Sequence, residues 1–201
     1  SVKLTADITI PAGTTWTPIG SAANPYTGVF DGDGHTVSGL TASITAAEYN
    51  AENDSVPFGL FGQTQGATIK NLKMSNVEIS GSAGSGSGIL CGRSIATTIS
   101  GCTIDNSCTF NGNTAMVGGL GCMLIESTVS DCVVAVQLQL ENQAPPAGGY
   151  VYVLSNSQII NSIFKGTIKG TGAISLTGGF VGVNSGLIAN CIYSGTMTAA
   201  G

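Results

Sequence analysis

From Val134 the chain reads Val-Ala-Val-Gln-Leu-Gln-Leu-Glu, with apolar residues at every second position. That period of two belongs to β-strands, whose side chains point alternately to opposite faces. The alternation comes in short runs, and Gly, Ser, Thr and Asn separate them. Strong helix formers are scarce, and nothing sustains a 3.6-residue period. The pattern predicts an all-β chain of many short strands joined by tight turns.

The strands recur on a fixed beat. Five segments align: ATIKNLKM from Ala67, TTISGCTI from Thr97, STVSDCVV from Ser127, SQIINSIF from Ser157 and GLIANCIY from Gly186. Their key aliphatic residues are Ile69, Ile99, Val129, Ile159 and Ile188, at intervals of 30, 30, 30 and 29. Leu72, Cys102, Cys132, Ser162 and Cys191 follow three residues on, and Met74, Ile104, Val134, Phe164 and Tyr193 two further. A sixth, degenerate copy is HTVSGLTA from His35, with Val37 and Leu40 in the first two roles. A Gly-rich phrase keeps the same beat, placing Leu60, Leu90, Leu120, Tyr150 and Phe180 at steps of 30.

A unit of this length built only of short strands fits one turn of a parallel β-solenoid, each turn pairing with the next at about 4.8 Å. A β-propeller blade needs roughly 40 residues. The expectation is a single parallel β-helix of about six coils, with like residues stacked in columns and the inward columns forming the core. Asn71, Gly101, Asp131, Asn161 and Asn190 precede the second column. These residue types tolerate left-handed backbone, so they read as corners between strands. Residues 1–29 hold Trp16, Pro11, Pro18 and Pro25, depart from the repeat, and read as an N-terminal cap or irregular first coil. The solenoid then runs through 30–201 as one continuous domain with that cap.

Composition narrows the function. Only 8% of the 201 residues are charged, with 6 basic against 11 acidic, while 42% are apolar and 30 are glycine. A disordered chain shows the opposite balance. The acidic excess argues against nucleic acid and against an anionic membrane surface. No apolar run reaches the ~18 residues of a membrane helix. The opening SVKLTADITI shows no leader, as in a cytosolic chain or a processed product.

Six cysteines, Cys91, Cys102, Cys108, Cys122, Cys132 and Cys191, contain no CxxC pair and no Cys/His cluster. Cys102 and Cys132 share a column, but stacked side chains point the same way, so a thiol ladder is favoured over a bond. Cys91 and Cys122 lie one residue out of phase near a Gly-rich corner, where a bond is conceivable. The densest polar cluster is FDGDGHTVSG, with Asp31, Asp33 and His35. On one strand these three would share a face and form a cation site or a glycosidase-like carboxylate pair. The reading preferred here is a Gly/Asp turn leading into the first coil, because the remaining ligands of a calcium loop are missing. Asp105, Glu126 and Asp131 are close in coil phase, but no basic residue joins them. No catalytic, cofactor-binding or metal-binding set is therefore expected.

Three interruptions break the beat: ITAAEYNAENDSVP from Ile44, SGSAGSGSG from Ser80 and ENQAPPAGG from Glu141. Loops thrown from one side of a solenoid are where binding specificity tends to sit. Asn53 opens a formal glycosylation sequon. The C-terminal GTMTAAG follows a repeat strand directly, as in a longer protein or an end that docks on another chain.

The stretch WTPIGSAANPYTGVFDGDGHTVSGLTAS resembles the leader of bacterial surface proteins with GLUG repeats. GLFGQTQGATIKNL and GGFVGVNSGLIANCIYSGTM resemble the GLUG unit itself, while the match is weaker from Ser94 to Gln158. The resemblance implies a right-handed parallel β-helix on the cell exterior, as in adhesins and the non-catalytic parts of some immunoglobulin A proteases. It implies no catalytic residue. The functional expectation is a non-enzymatic extracellular or cell-surface module, structural or adhesive. Its partners would be its own copies end to end, in a filament or surface layer, or a host or cell-surface protein or glycan. The alternatives are a carbohydrate-binding or carbohydrate-cleaving β-helix, and the substrate-positioning region of a larger secreted protease.

Overall fold

A computed structural model of the chain describes residues 1–44, 57–81, 86–112, 116–141, 146–171 and 177–199. Most of the loop from Ile44, including Asn53 with its sequon, and part of each of the loops from Ser80 and Glu141 lie outside the described residues. Within them there are strands, turns and bends but no α-helix.

The chain winds through a partial first turn and then about six stacked turns. The partial turn holds β1 (Val2–Lys3) and β2 (Ile8–Thr9). The next holds β3 (Val29–Asp31), β4 (Thr36–Ser38) and β5 (Thr41–Ile44). The third holds β6 (Phe61–Gln65), β7 (Thr68–Lys70), β8 (Lys73–Ser75) and β9 (Glu78–Gly81). The fourth holds β10 (Gly86–Gly88), β11 (Cys91–Ile95), β12 (Thr98–Ser100), β13 (Thr103–Ile104) and β14 (Thr109–Gly112). The fifth holds β15 (Met116–Gly118), β16 (Gly121–Ile125), β17 (Thr128–Ser130), β18 (Val133–Val134) and β19 (Gln137–Leu140). The sixth holds β20 (Ala147–Gly148), β21 (Val151–Ile160), β22 (Ile163–Phe164) and β23 (Thr167–Gly170). The last holds β24 (Thr177–Gly178), β25 (Val181–Ala189), β26 (Ile192–Tyr193) and β27 (Thr196–Ala199).

Every ladder between these strands is parallel. Two long sheets run the length of the stack, a third runs from β5 to β27, and a smaller fourth sheet joins β10, β15, β20 and β24. Register confirms the columns: Ile99 pairs with Ile69 and Val129, Ile159 with Val129 and Ile188, and Ile104 with Met74 and Val134. Phe30 stands opposite Ile69, and Val2 of the partial first turn heads the column opposite Phe30. The inward residues of the middle turns are sealed: Ile69, Ile99, Val129 and Ile159 are 0% exposed. Burial of this continuous apolar stack supplies most of the driving force.

The degenerate copy from His35 stacks differently from the expectation. Val37 pairs with Met74, one strand later in the turn than the column assigned to it. The Leu40 carbonyl accepts from the Glu78 amide, so Leu40 lies beside Val77 rather than Leu72. The cause is local: Gly32-Asp33-Gly34 replaces the single-residue corner of later turns, shifting every residue after it.

The predicted corners are left-handed, with φ of 53° at Asn71, 62° at Gly101, 56° at Asp131, 51° at Asn161 and 53° at Asn190. A second left-handed corner also recurs, at Gly66 (63°), Ala96 (48°), Glu126 (52°) and Asn156 (47°). Alanine there is strained, because its Cβ crowds the backbone by roughly 1–2 kcal/mol. Ala96 is exposed and loses no packing on truncation. Ala96→Gly should therefore stabilise the protein, by about 0.5–1 kcal/mol after the extra freedom of glycine in the unfolded chain is counted. Urea denaturation checks this, and a lower midpoint would contradict it.

Candidate functional site

Asp31 ends β3, and the chain then turns through Asp33 at φ 49°. That turn breaks the alternation that would have placed Asp31, Asp33 and His35 on one face. Each instead engages a partner from a neighbouring turn. Asp31 Oδ1 accepts from the Asp33 amide at 2.9 Å and from Asn71 Nδ2 at 3.2 Å, and its Oδ2 lies 3.2 Å from Lys70 Nζ. Asp33 Oδ2 lies 3.1 Å from Lys3 Nζ. His35 Nδ1 lies 3.2 Å from Asp7 Oδ1, which also accepts the Thr36 amide at 2.9 Å. The cluster is a clamp stitching the partial first turn and its neighbour onto the stack, in line with the turn reading. Among the described residues no three His, Cys, Asp or Glu side chains are placed to share a metal ion.

The clamp has a pH signature. The Thr36 amide, and then His35, hold the Asp7 carboxyl below its ordinary 3.8; the Asp33 amide and then Asn71 do the same for Asp31. A carboxyl depressed in the folded state stabilises it above the unfolded pKa, and that contribution is lost as pH falls through the folded value. The first turn should therefore fray in acid below the ordinary value of 3.8 while the inner turns hold. Hydrogen exchange at the Asp33 and Thr36 amides reads this, and unchanged protection between about pH 5 and about pH 2 would refute it.

Asp105, Glu126 and Asp131 are not brought together. Asp105 follows β13, where it accepts from the Ser107 amide at 2.9 Å and from the Ser107 hydroxyl. Glu126 and Asp131 occupy the two left-handed corners on either side of β17, and Asn161 Nδ2 reaches Asp131 Oδ1 at 3.4 Å. These carboxylates sit at separate turns of the stack.

All six cysteines are free thiols. Cys91 stands in register with Gly121, so Cys122, the next residue along, alternates to the opposite face. That period of two rules out the Cys91–Cys122 bond left open by the sequence. Burial pushes the Cys91 thiol up to about 11 and the Cys108 and Cys122 thiols up to about 12. Cys102 and Cys132 stack as a ladder, and Cys132 Sγ accepts the Cys102 amide at 3.3 Å. The hydrogen bond from Cys102 holds the Cys132 thiol down, while the same contact and burial push Cys102 up.

This contact belongs to a wider device that the sequence reading missed. Directly after left-handed corners, inward Ser127, Cys132, Ser157 and Ser162 each serve two turns at once. Each side chain accepts the amide of its counterpart one turn earlier and donates to the carbonyl two residues before itself. Ser127 Oγ takes the Thr97 amide at 3.0 Å and donates to the Ile125 carbonyl at 2.8 Å. Ser157 Oγ takes the Ser127 amide at 2.8 Å and donates to the Ser155 carbonyl at 2.8 Å. Ser162 Oγ does the same for the Cys132 amide at 3.3 Å and the Ile160 carbonyl at 2.9 Å. The turning backbone leaves these groups out of the sheet ladders, and unpaired they would cost about 1–3 kcal/mol each. The signal was present in the sequence as a hydroxyl or thiol residue directly after the later corners, at Thr97, Cys102, Ser127, Cys132, Ser157, Ser162 and Cys191, where the earliest of these turns has Ala67 and Leu72.

No protein-family model matches the chain. It is 30% identical over 148 residues to Halomucin from Haloquadratum walsbyi, an alignment covering 68% of this chain but spanning only 2% of Halomucin's length. A crystal structure from Bacteroides ovatus, provisionally assigned as an immunoglobulin A1 protease, superposes with a TM-score of 0.50 and 18% identity. That superposition covers 98% of this chain and 70% of the other. At that identity the likeness is one of fold, and it extends over almost the whole of the solenoid.

Proposed function

We propose that this chain is a non-enzymatic structural module of an extracellular or cell-surface protein. The observation that carries the reading is the use made of its recurring polar side chains. Corner residues supply left-handed backbone, the small residues after them pair backbone groups between turns, and the acidic cluster near the N-terminus clamps one turn to the next. The similarity to a short stretch of Halomucin, and the motif likeness to GLUG-repeat surface proteins, support the location. No helix among the described residues is long and apolar enough to cross a membrane.

Association of copies end to end is the form we favour for its structural role. Residues 177–199 carry no charged side chain, and Ile188, Tyr193 and Met197, which continue the inward columns of Ile159, Phe164 and Ile168, stand exposed there, at 36%, 42% and 41%. Charge is a common means by which edge strands avoid pairing, and this turn lacks it. Sedimentation velocity over a wide concentration range tests the association, and a strictly monomeric boundary throughout would refute it. Incubation with a panel of polysaccharides and with immunoglobulin A1 tests the non-enzymatic reading. New reducing ends would favour the carbohydrate-cleaving alternative. Heavy-chain fragments would favour the protease suggested by the name of the Bacteroides ovatus neighbour.

A further inference from the structure

The N-terminal end of the stack is incomplete in one place. Two of the long sheets extend into the partial first turn, through β1 and β2. The third begins one turn later, at β5, which pairs with β9 on one side only. The chain does not lay a strand there. After β2 it turns at Pro11–Thr14, where the Thr14 amide meets the Pro11 carbonyl at 3.2 Å and Gly13 adopts φ 80°. It then arches over to Ile19, which bridges to Phe61. Between this arch and β5 lies a cavity of about 540 Å³ lined by residues 13–18, by β5 and by Phe58.

The edge facing this cavity is ready to pair. The Leu40 carbonyl accepts from the Glu78 amide at 2.9 Å, so Leu40, Ala42 and Ile44 turn their backbone groups toward β9. Parallel ladders use alternate residues, so the N–H and C=O groups of Thr41 and Ser43 point the other way, into the slot. No partner for them occurs among the described residues. The Trp16 indole flanks the slot, fixed by a 3.1 Å hydrogen bond from Nε1 to the Gly59 carbonyl. None of the lining side chains is ionisable.

We propose that this slot binds an extended, uncharged peptide segment of a partner protein by β-strand addition. The geometry is that of a missing strand. Pairing to Thr41 and Ser43 supplies main-chain hydrogen bonds, and one small apolar side chain per two residues enters between Ala42, Ile44 and Trp16. A charged peptide is disfavoured because nothing in the slot would compensate a desolvated charge. The inference rests on the unpaired edge of β5 and not on the uncharged last turn that motivates the end-to-end association above.

The test is titration of the ¹⁵N-labelled full chain with the blocked peptide acetyl-Thr-Val-Thr-Val-Thr-Gly-amide, with a version carrying proline at its central valine, and with cellohexaose. Amide shifts should move at Thr41 to Ile44 and at the Trp16 indole with the first peptide alone. Ser43→Pro removes the slot-facing N–H at an edge position that tolerates proline, and should weaken binding about tenfold or more. Ser43→Ala should leave binding within about twofold, because backbone groups carry the pairing. The proline in the peptide keeps the test informative if Ser43→Pro disturbs the fold. Absence of shifts at Thr41 to Ile44, or equal shifts from the proline peptide, would overturn the proposal. A response to cellohexaose alone would do the same and make the slot a saccharide site.

Discussion

Gly148→Ala should be among the most damaging single substitutions in the chain. A Cβ at Gly148 would stand 1.8 Å from the Val151 carbonyl oxygen, 2.5 Å from its carbon and 2.9 Å from the Gly182 amide nitrogen. All three are backbone atoms, held in the ladders of the sixth and seventh turns, so no side chain can swing aside. The same contact recurs at Gly118, 1.9 Å from the Gly121 oxygen, and at Gly178, 1.8 Å from the Val181 oxygen. The following glycine is equally confined, with a Cβ at Gly149 only 2.0 Å from the Gly179 oxygen. The recurring Gly-Gly pair is thus where the small fourth sheet folds back on its own turn. The loss expected for Gly148→Ala is about 3 kcal/mol or more, the upper end for forced overpacking. Chemical denaturation measures it, and a shift under about 0.5 kcal/mol would show that the turn is looser than described.

Ile99→Ala should cost about 2–5 kcal/mol, the range for truncating a buried aliphatic side chain to alanine. Ile99 lies in register between Ile69 and Val129 and is 0% exposed. A cavity there sits in the middle of a column and removes contacts with the turns above and below at once. The outward neighbour Thr98 is a matched control, since it is exposed and pairs with Thr68 and Thr128. Thr98→Ala should stay within about 0.5 kcal/mol. Equal effects at the two positions would mean that the inward and outward assignment is wrong.

The columns were readable in the sequence because stacking repeats a requirement every turn. Ile69, Ile99, Val129, Ile159 and Ile188 share one apolar demand and stand opposite one another in the ladders. Even the short final interval has a structural counterpart, a register shift between Ser155 and Gln158 where β25 is one residue shorter. The Gly66, Ala96, Glu126 and Asn156 corner was not legible, because Ala and Glu carry no left-handed preference and the position shows no common residue type. The roles of Asp31, Asp33 and His35 depend on Lys70, Lys3 and Asp7, which are far away in sequence until the turns stack. The slot beside β5 was invisible for a different reason: it is the place where a strand is absent, and no residue type marks an absence.

The most direct measurement is a set of methyl NOEs in a selectively labelled sample. Stacked, in-register turns require cross-peaks linking Ile99 to both Ile69 and Val129, and Ile159 to both Val129 and Ile188, as the ladders place them. Cross-peaks between neighbours one turn apart, and none between Ile69 and Ile159, are the expected result. Ile99 methyls without contacts to Ile69 and Val129 would contradict the stack, and with it the columns, the clamp and the slot.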